Sequence, residues 1–292
     1  MSKKMTMQEA ITEAKRCLNC SRPLCRTGCP IENNIPEFVR ALSEGNIGNA
    51  YETIAERSNL PAICGRVCAH EKQCEAHCIL AKKNSAISIG SLEMFIADFA
   101  HEYGLNPVPP STGKRGKVAV IGSGPAGLTV AGDLAKMDFA VTIFEGQPEP
   151  GGVLLFGIPE FRLEKEVVRR EINILRKLGV EIVTEKLIGP DMTVDDLFAQ
   201  GYDAIFMGTG TALPRTLDIP GQELSGILTA TYFLKVVVLA DSGKLDKKEV
   251  LINDDDDVVV IGAGNVAIDA ARTAIRRTSG NVTVLYHKTA ED

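Results

Sequence analysis

The sequence predicts a small all-α, cysteine-rich domain followed by two α/β units of nucleotide-binding type. Three observations predict this. All eight cysteines lie between Cys17 and Cys78. Two later stretches, 117–145 and 258–288, each open with an apolar strand that runs into a glycine-rich turn. A stretch rich in Pro, Gly and charge, residues 106–116, separates the cysteines from the first of them and reads as a linker. A chain of 292 residues suits two or three domains at about 150 residues each. The boundaries expected are 1–105, a linker at 106–116, 117–250 and 251–292.

Composition excludes several classes. Apolar residues make up 45% and charged residues 24%, so the chain can bury a core and is not disordered. The net charge of −6 argues against a nucleic-acid binder. Trp is absent and aromatics are 5%, which argues against a base- or sugar-stacking surface. No apolar run approaches the ~20 residues of a membrane span; the longest, at 236–240 and 258–262, are element-sized. The basic N-terminus has no apolar stretch behind it, so a secretory signal is not expected and a cytoplasmic location is.

The cysteine domain reads as helical. Residues 8–18 carry Ile11, Ala14 and Leu18 on one face. Residues 35–42 begin with Pro36 in the first turn and stop at Gly45. Residues 87–103 place Ile89, Leu92, Phe95, Ile96 and Phe99 on one stripe and end at Gly104. The thiols form two runs, Cys17-x2-Cys20-x4-Cys25-x3-Cys29-Pro30 and Cys64-x3-Cys68-x5-Cys74-x3-Cys78. In two-cluster ferredoxins the Cys before Pro ligates the other cluster. By that logic Cys29 leaves the first run for the second site, and a cysteine of the second run joins Cys17, Cys20 and Cys25. Paired zinc sites are the alternative, but these spacings fit a zinc ribbon poorly. A small domain of this kind is expected to depend on its metal for stability.

After the linker, strand 117–121 runs into Gly122-Ser123-Gly124-Pro125-Ala126-Gly127. A helix over 128–136, a strand over 140–144 and Glu145 follow. This is the Rossmann βαβ fingerprint at its usual span of about 30 residues. Gly122 permits the turn, Gly124 lets backbone approach a pyrophosphate, and Gly127 lets helix and strand pack closely. The helix N-terminus favours phosphate, and Glu145 suits ribose hydroxyls. Residues 164–178 form an amphipathic helix, 180–183 a strand, and 204–207 a strand leading into Gly208-Thr209-Gly210. The second unit has strand 258–261, Gly262-Ala263-Gly264-Asn265-Val266-Ala267, a helix over 266–277 and a strand over 281–286. Its acid position holds His287 and Lys288 instead, which favours a 2′-phosphate and so NADP(H), with NAD(H) the alternative. Asp254–Asp257 reads as a solvated loop.

The order of these motifs, with Cys64-Gly-Arg-Val-Cys68, Ser88-Ile-Gly-Ser-Leu-Glu93, Gly151-Gly152-Val-Leu-Leu-Phe-Gly-Ile-Pro-Glu-Phe-Arg162 and Gly262-Ala-Gly-Asn-Val-Ala-Ile-Asp269, resembles one superfamily along almost the whole chain. It includes the small subunit of NADPH-dependent glutamate synthase, the N-terminal half of dihydropyrimidine dehydrogenase and the large subunit of the NADH-dependent reduced-ferredoxin:NADP oxidoreductase. The resemblance implies two [4Fe–4S] clusters, FAD on the first βαβ unit and NAD(P)H on the second. It implies Cys17, Cys20, Cys25 and Cys78 on one cluster. Cys29, Cys68, Cys74 and Glu93 would hold the other, leaving Cys64 spare. Position alone would make Glu93 a solvated helix residue. The resemblance also brings Gly151, Gly152 and Gly208–Gly210 to the flavin. It implies electron delivery to a large catalytic subunit or domain, in the glutamate synthase case one that reduces 2-iminoglutarate. No catalytic side chain is required, because the cofactors carry the chemistry. Relatives continue beyond the point where this chain stops, so an incomplete nicotinamide domain is expected.

Overall fold

The computed structural model describes residues 4–83, 85–105, 110–211 and 217–287. It divides into two compact units, described separately below. The first comprises Met1–Gly151 and Arg162–Gly208; the second comprises Gly152–Phe161 and Thr209–Asp292. The second unit therefore begins earlier in the chain than residue 251.

The first unit opens with six helices: α1 (Met7–Ala14), α2 (Leu24–Thr27), α3 (Ile35–Ser43), α4 (Ile47–Ala55), α5 (Pro61–Val67) and α6 (Ile89–Glu102). Thr6 and Glu9 cap α1 reciprocally. This helix stops at Ala14, short of the expected residue 18. α4 and α5 were not expected. α4 starts at an Asn46 cap and α5 at Pro61. Phe38, Leu42, Ile54, Leu92 and Ile96 are fully buried between these helices. The cysteine domain therefore has an apolar core of its own.

Beyond it lie β1 (Lys117–Ile121), α7 (Pro125–Lys136), β2 (Ala140–Phe144), α9 (Lys165–Lys177), β3 (Glu181–Val183), α10 (Val194–Ala199) and β4 (Ala204–Met207). The short α8 (Gly152–Phe156) belongs to the second unit. The four strands form one parallel sheet in the order β3-β2-β1-β4, with Lys117 opposite Ala140 and Val118 opposite Ala204. β1 and β2 are buried over nearly their whole length, as strands of a parallel sheet covered on both faces must be. The order reverses between β1 and β4. In open α/β sheets ligands bind in the crevice at the carboxyl ends beside that point. The end of the linker lies against this sheet unit, with Ser111 N–H on Leu178 O and Thr112 N–H on Asp138.

The two halves of the first unit meet along one seam. Asn59 donates to Thr129 O and to Asp133 on α7. Lys136 donates to Ala55 O, and Ala62 N–H at the start of α5 donates to Glu171 on α9. Arg66 on α5 pairs with Asp98 on α6 at 2.9 Å and with Glu164 at 3.1 Å. Arg170 on α9 closes on the same Asp98. Two glycines let the helices approach. A Cβ on Gly65 would lie 2.5 Å from Met94 N, and one on Gly132 would lie 2.6 Å from the Asn59 amide.

The second unit contains α11 (Ala230–Asp241), β5 (Val258–Ile261), α12 (Asn265–Ala274) and β6 (Val282–Leu285). β5 and β6 pair in parallel, and Phe233, Leu234, Val237, Ala270 and Ala274 form a small core with α11 and α12. Val259, Ile261 and Leu285 are exposed, so one face of this two-stranded sheet is apolar and open. The acidic loop is more than a solvated run. Carbonyls of Asp254 and Asp256 accept from Thr278 and Ser279, and Asp257 accepts from Asn281 N–H. No described helix is long and apolar enough to cross a membrane.

Burial raises the Asp98 carboxyl, and Arg66 and Arg170 together outweigh it, leaving its pKa below the ordinary value. Its contribution to stability is therefore present above the unfolded value of about 3.9 and is lost as pH falls through the lower folded value. Asp98→Asn removes the partner of Arg170 and one of the two carboxylates on Arg66, and is expected to cost about 2 kcal/mol near pH 7. In denaturant titrations the difference between wild type and variant should shrink as the pH drops below 4.

Candidate cluster and dinucleotide sites

The cysteines of the two runs mix in space. Cys17 and Cys20 follow α1, Cys25 lies within α2, and Cys29 follows it. Cys64 is inside α5, Cys68 caps that helix, and Cys74 and Cys78 lie in the loop before α6. The two loops interlock. A Cβ on Gly28, beside Cys29, would lie 2.6 Å from the ring of His77, beside Cys78. The second loop is tied to α6 by Gly90 N–H on Glu75, at 3.0 Å.

Cys17, Cys20, Cys25 and Cys78 line one cavity of about 70 Å³. Burial and then its three thiol neighbours push Cys25 up to about 11, and Cys17 is raised by burial and by Cys20 and Cys78. Elsewhere Cys74 lies near Cys29 and Glu93, and Glu93 near Cys68. Cys74 is raised by burial and by the negative charges of Glu75, Glu93 and Cys29. Glu93 is 9% exposed, so it is no solvated helix residue; packing of α5 on α6 buries it. Burial, then Cys68 and Glu171, push its carboxyl up to about 8. No cationic side chain is among those influences. Cys64 stands beside this set, one helical turn before Cys68.

These donors suit an iron–sulfur group. Thiols that are costly to ionise without a cation surround an open space, and a buried carboxyl lacks a counter-charge. Zinc fits less well. It needs its ligands within about 2.3 Å of one centre, and among the described residues no three His, Cys, Asp or Glu groups converge on a single-ion site.

The first glycine turn has the geometry that a pyrophosphate requires. Gly122 has φ 94°, and its N–H bonds Phe144 O at 2.8 Å. Gly124 is the extended N-cap of α7, and the space where its side chain would stand is open. A Cβ on Gly127 would lie 1.9 Å from Gly122 O. Pro125 and Ala126 form the first helical turn, so α7 starts earlier than the expected residue 128. Gly208 N–H bonds Ile121 O, and a Cβ there would be 3.4 Å from Gly127 N, so the end of β4 borders the turn. Glu145 is buried and already holds Ser123 N–H at 3.0 Å, the Ser123 hydroxyl and Gln147 N–H. Ser123 Oγ in turn accepts from Gly151 N–H at 2.9 Å. Ser123 is thus an internal strut, and Glu145 keeps part of its acceptor capacity for a ligand. Gly151 has φ 138°; Gly152 (φ 50°), Thr209 and Gly210 (φ 71°) belong to the second unit.

The second turn repeats this design. Gly262 has φ 112° and its N–H bonds Leu285 O, again at 2.8 Å. Gly264 is the extended N-cap of α12, with open space beside it. Asn265 and Val266 are exposed at the helix start, and Ala267 lies 3.6 Å from where a Gly262 Cβ would stand. His287 is exposed and packs edge-on against Tyr286; Lys288 lies outside the described residues. Sequence reasoning did not single out Arg66, Asp98, Arg170 or Glu171. Their partners are distant in the chain, so no local pattern marks them.

A cysteine-lined helical domain docked on a parallel sheet with a phosphate-binding turn defines an iron–sulfur, nucleotide-dependent oxidoreductase. Comparison with known proteins agrees. Residues 1–105 match the family model described as dihydropyrimidine dehydrogenase domain II, 4Fe-4S cluster, and residues 116–290 match pyridine nucleotide-disulphide oxidoreductase. The chain belongs to the pyridine nucleotide-disulphide oxidoreductase family, in its branch of iron–sulfur oxidoreductases resembling glutamate synthase small chains. It is 39% identical over 283 residues to the glutamate synthase [NADPH] small chain of Halomonas elongata, covering 96% of this chain and 60% of that one. To the Escherichia coli protein of the same name it is 36% identical over 287 residues, covering 97% and 61%. The putative oxidoreductase UacF of Escherichia coli is 38% identical over 285 residues, covering 96% of this chain and 44% of its own. The chain thus spans about 60% of the length of the first two relatives.

Gly127→Ala drives a methyl group into Gly122 O and should force the turn off the pyrophosphate position. Flavin retained after gel filtration, read by absorbance, is expected to fall at least about tenfold. Iron content, set by the other half of the unit, should stay unchanged.

Proposed function

We propose that this chain is the electron-input part of a flavin and iron–sulfur oxidoreductase of the glutamate synthase small-subunit type, serving glutamate synthesis and ammonia assimilation. Reducing equivalents come from NADPH, with NADH as the alternative, and leave to a larger subunit or domain. FAD, when bound, would supply the conversion of a two-electron hydride donation into single-electron release, and two [4Fe–4S] clusters would supply one-electron carriers. The chain's own residues bind and position. Gly124 and the start of α7 present backbone amides to the FAD pyrophosphate, while Glu145, braced by Ser123, receives the ribose. Gly262, Gly264 and Asn265 present the equivalent surface to the nicotinamide nucleotide, with His287 following the second strand on the side of its 2′-phosphate. The open apolar face of β5 and β6 supports reading the second unit as part of a larger nucleotide domain.

The observation that carries this reading is the exchange of cysteines between the two runs. Cys78 lies with Cys17, Cys20 and Cys25, and Cys29 lies with Cys74. Such an exchange is the signature of paired cluster sites. It supports the ligand sets Cys17, Cys20, Cys25, Cys78 and Cys29, Cys68, Cys74, Glu93.

Double variants test it. Protein purified without oxygen should hold about eight iron atoms with matching sulfide. Cys17→Ser with Cys78→Ser should lose one cluster and keep about half the iron. Cys17→Ser with Cys29→Ser should lose both. The opposite pattern would show that each run closes on itself. Bleaching of the flavin by NADPH, followed on this chain, tests the donor.

A further inference from the structure

The ligand sets leave Cys64 unused, yet its place is not idle. Cys64 and Cys68 are one helical turn apart on α5 and so share a face. Cys68 N–H bonds Cys64 O at 3.2 Å, which fixes the turn. The Cys64 sulfur lies beside the Cys68 sulfur and near the Glu93 carboxyl. Behind it stands Ser58, 4% exposed. Its hydroxyl has no hydrogen-bond partner and lies within electrostatic reach of the Cys64 thiol. Gly65, the next residue, packs so tightly on Met94 that the helix cannot roll to turn Cys64 away.

We propose that Cys64 is a positioning residue of the second cluster: its S–H donates to the Cys68 sulfur, is oriented by the Ser58 hydroxyl, and raises that cluster's reduction potential. This rests on the reading that Cys68 is a cluster ligand. The physical reason is direct. Each added electron makes the cluster more negative, and a donor aimed at a ligand sulfur stabilises the reduced form more than the oxidised one. A thiol is a weak donor, so the effect is a modest one on this cluster alone. The site nearer Cys17 and Cys25 has no such contact with Cys64.

The test is a redox titration of the anaerobic, cluster-loaded protein followed by EPR, comparing wild type, Cys64→Ala and Cys64→Ser. Iron and sulfide should be the same in all three. In Cys64→Ala the reduced-to-oxidised ratio of one cluster, at fixed ambient potential, should fall about fivefold. The other cluster should not move, and Cys64→Ser, which keeps a donor, should recover most of the shift. Ser58→Ala should give a smaller shift in the same direction. Equal potentials in wild type and Cys64→Ala would overturn the proposal. Loss of one cluster's iron in Cys64→Ala would overturn it too, by making Cys64 a ligand. Absence of iron from all three proteins would instead refute the cluster reading.

Discussion

The seam between the cysteine helices and the parallel sheet is the constraint on which the first unit depends. It is polar and partly buried. Arg66, Asp98 and Arg170 neutralise one another, Glu164 completes Arg66, and Glu171 receives the first amide of α5. Each of these charges would be costly to bury alone. Together they fix α5, which carries Cys64 and Cys68, against α6, which carries Glu93, and against α9 of the dinucleotide-binding half. A loose hydrophobic contact could slide. A set of directional bonds with two glycines at the crossing cannot do so without stranding a charge. Electron transfer between prosthetic groups on either side needs a fixed separation, and this seam supplies one.

Buried carboxyls are the second theme. Burial pushes Glu171 up to about 7, with Arg170 acting against it, and Glu93 up to about 8. Glu171 has an arginine and a backbone amide; Glu93 has neither. A carboxyl raised in this way is protonated near neutral pH, and ionises there only if a positive group comes to sit beside it.

Much of the fold was legible in the sequence because glycines and strands obey local rules. The two turns at Gly122 and Gly262 were readable because only glycine tolerates φ near 94° and 112° there, and the order strand, turn, helix follows from apolar pattern alone. The limits lay where burial is decided by distant packing. Nothing local marks Glu93 as buried, because the helix α5 that covers it is short and was not foreseen. Helix α11 carries a Val236–Val238 run that suits strand as well as helix, and its N-cap Thr229 is a weaker signal than that run. The Ser123–Glu145–Gly151 strut was hidden for a related reason. A residue inside a ligand-binding motif can serve the loop rather than the ligand.

The central claim is that two distinct four-iron sites exist, and that one has an oxygen ligand. Mössbauer spectroscopy of protein loaded with ⁵⁷Fe and kept free of oxygen reads this directly. The account predicts two four-iron components of equal weight, one uniform in sulfur ligation and one with a single iron set apart by carboxylate. A single component with all irons sulfur-ligated, or no cluster signal at all, would contradict it.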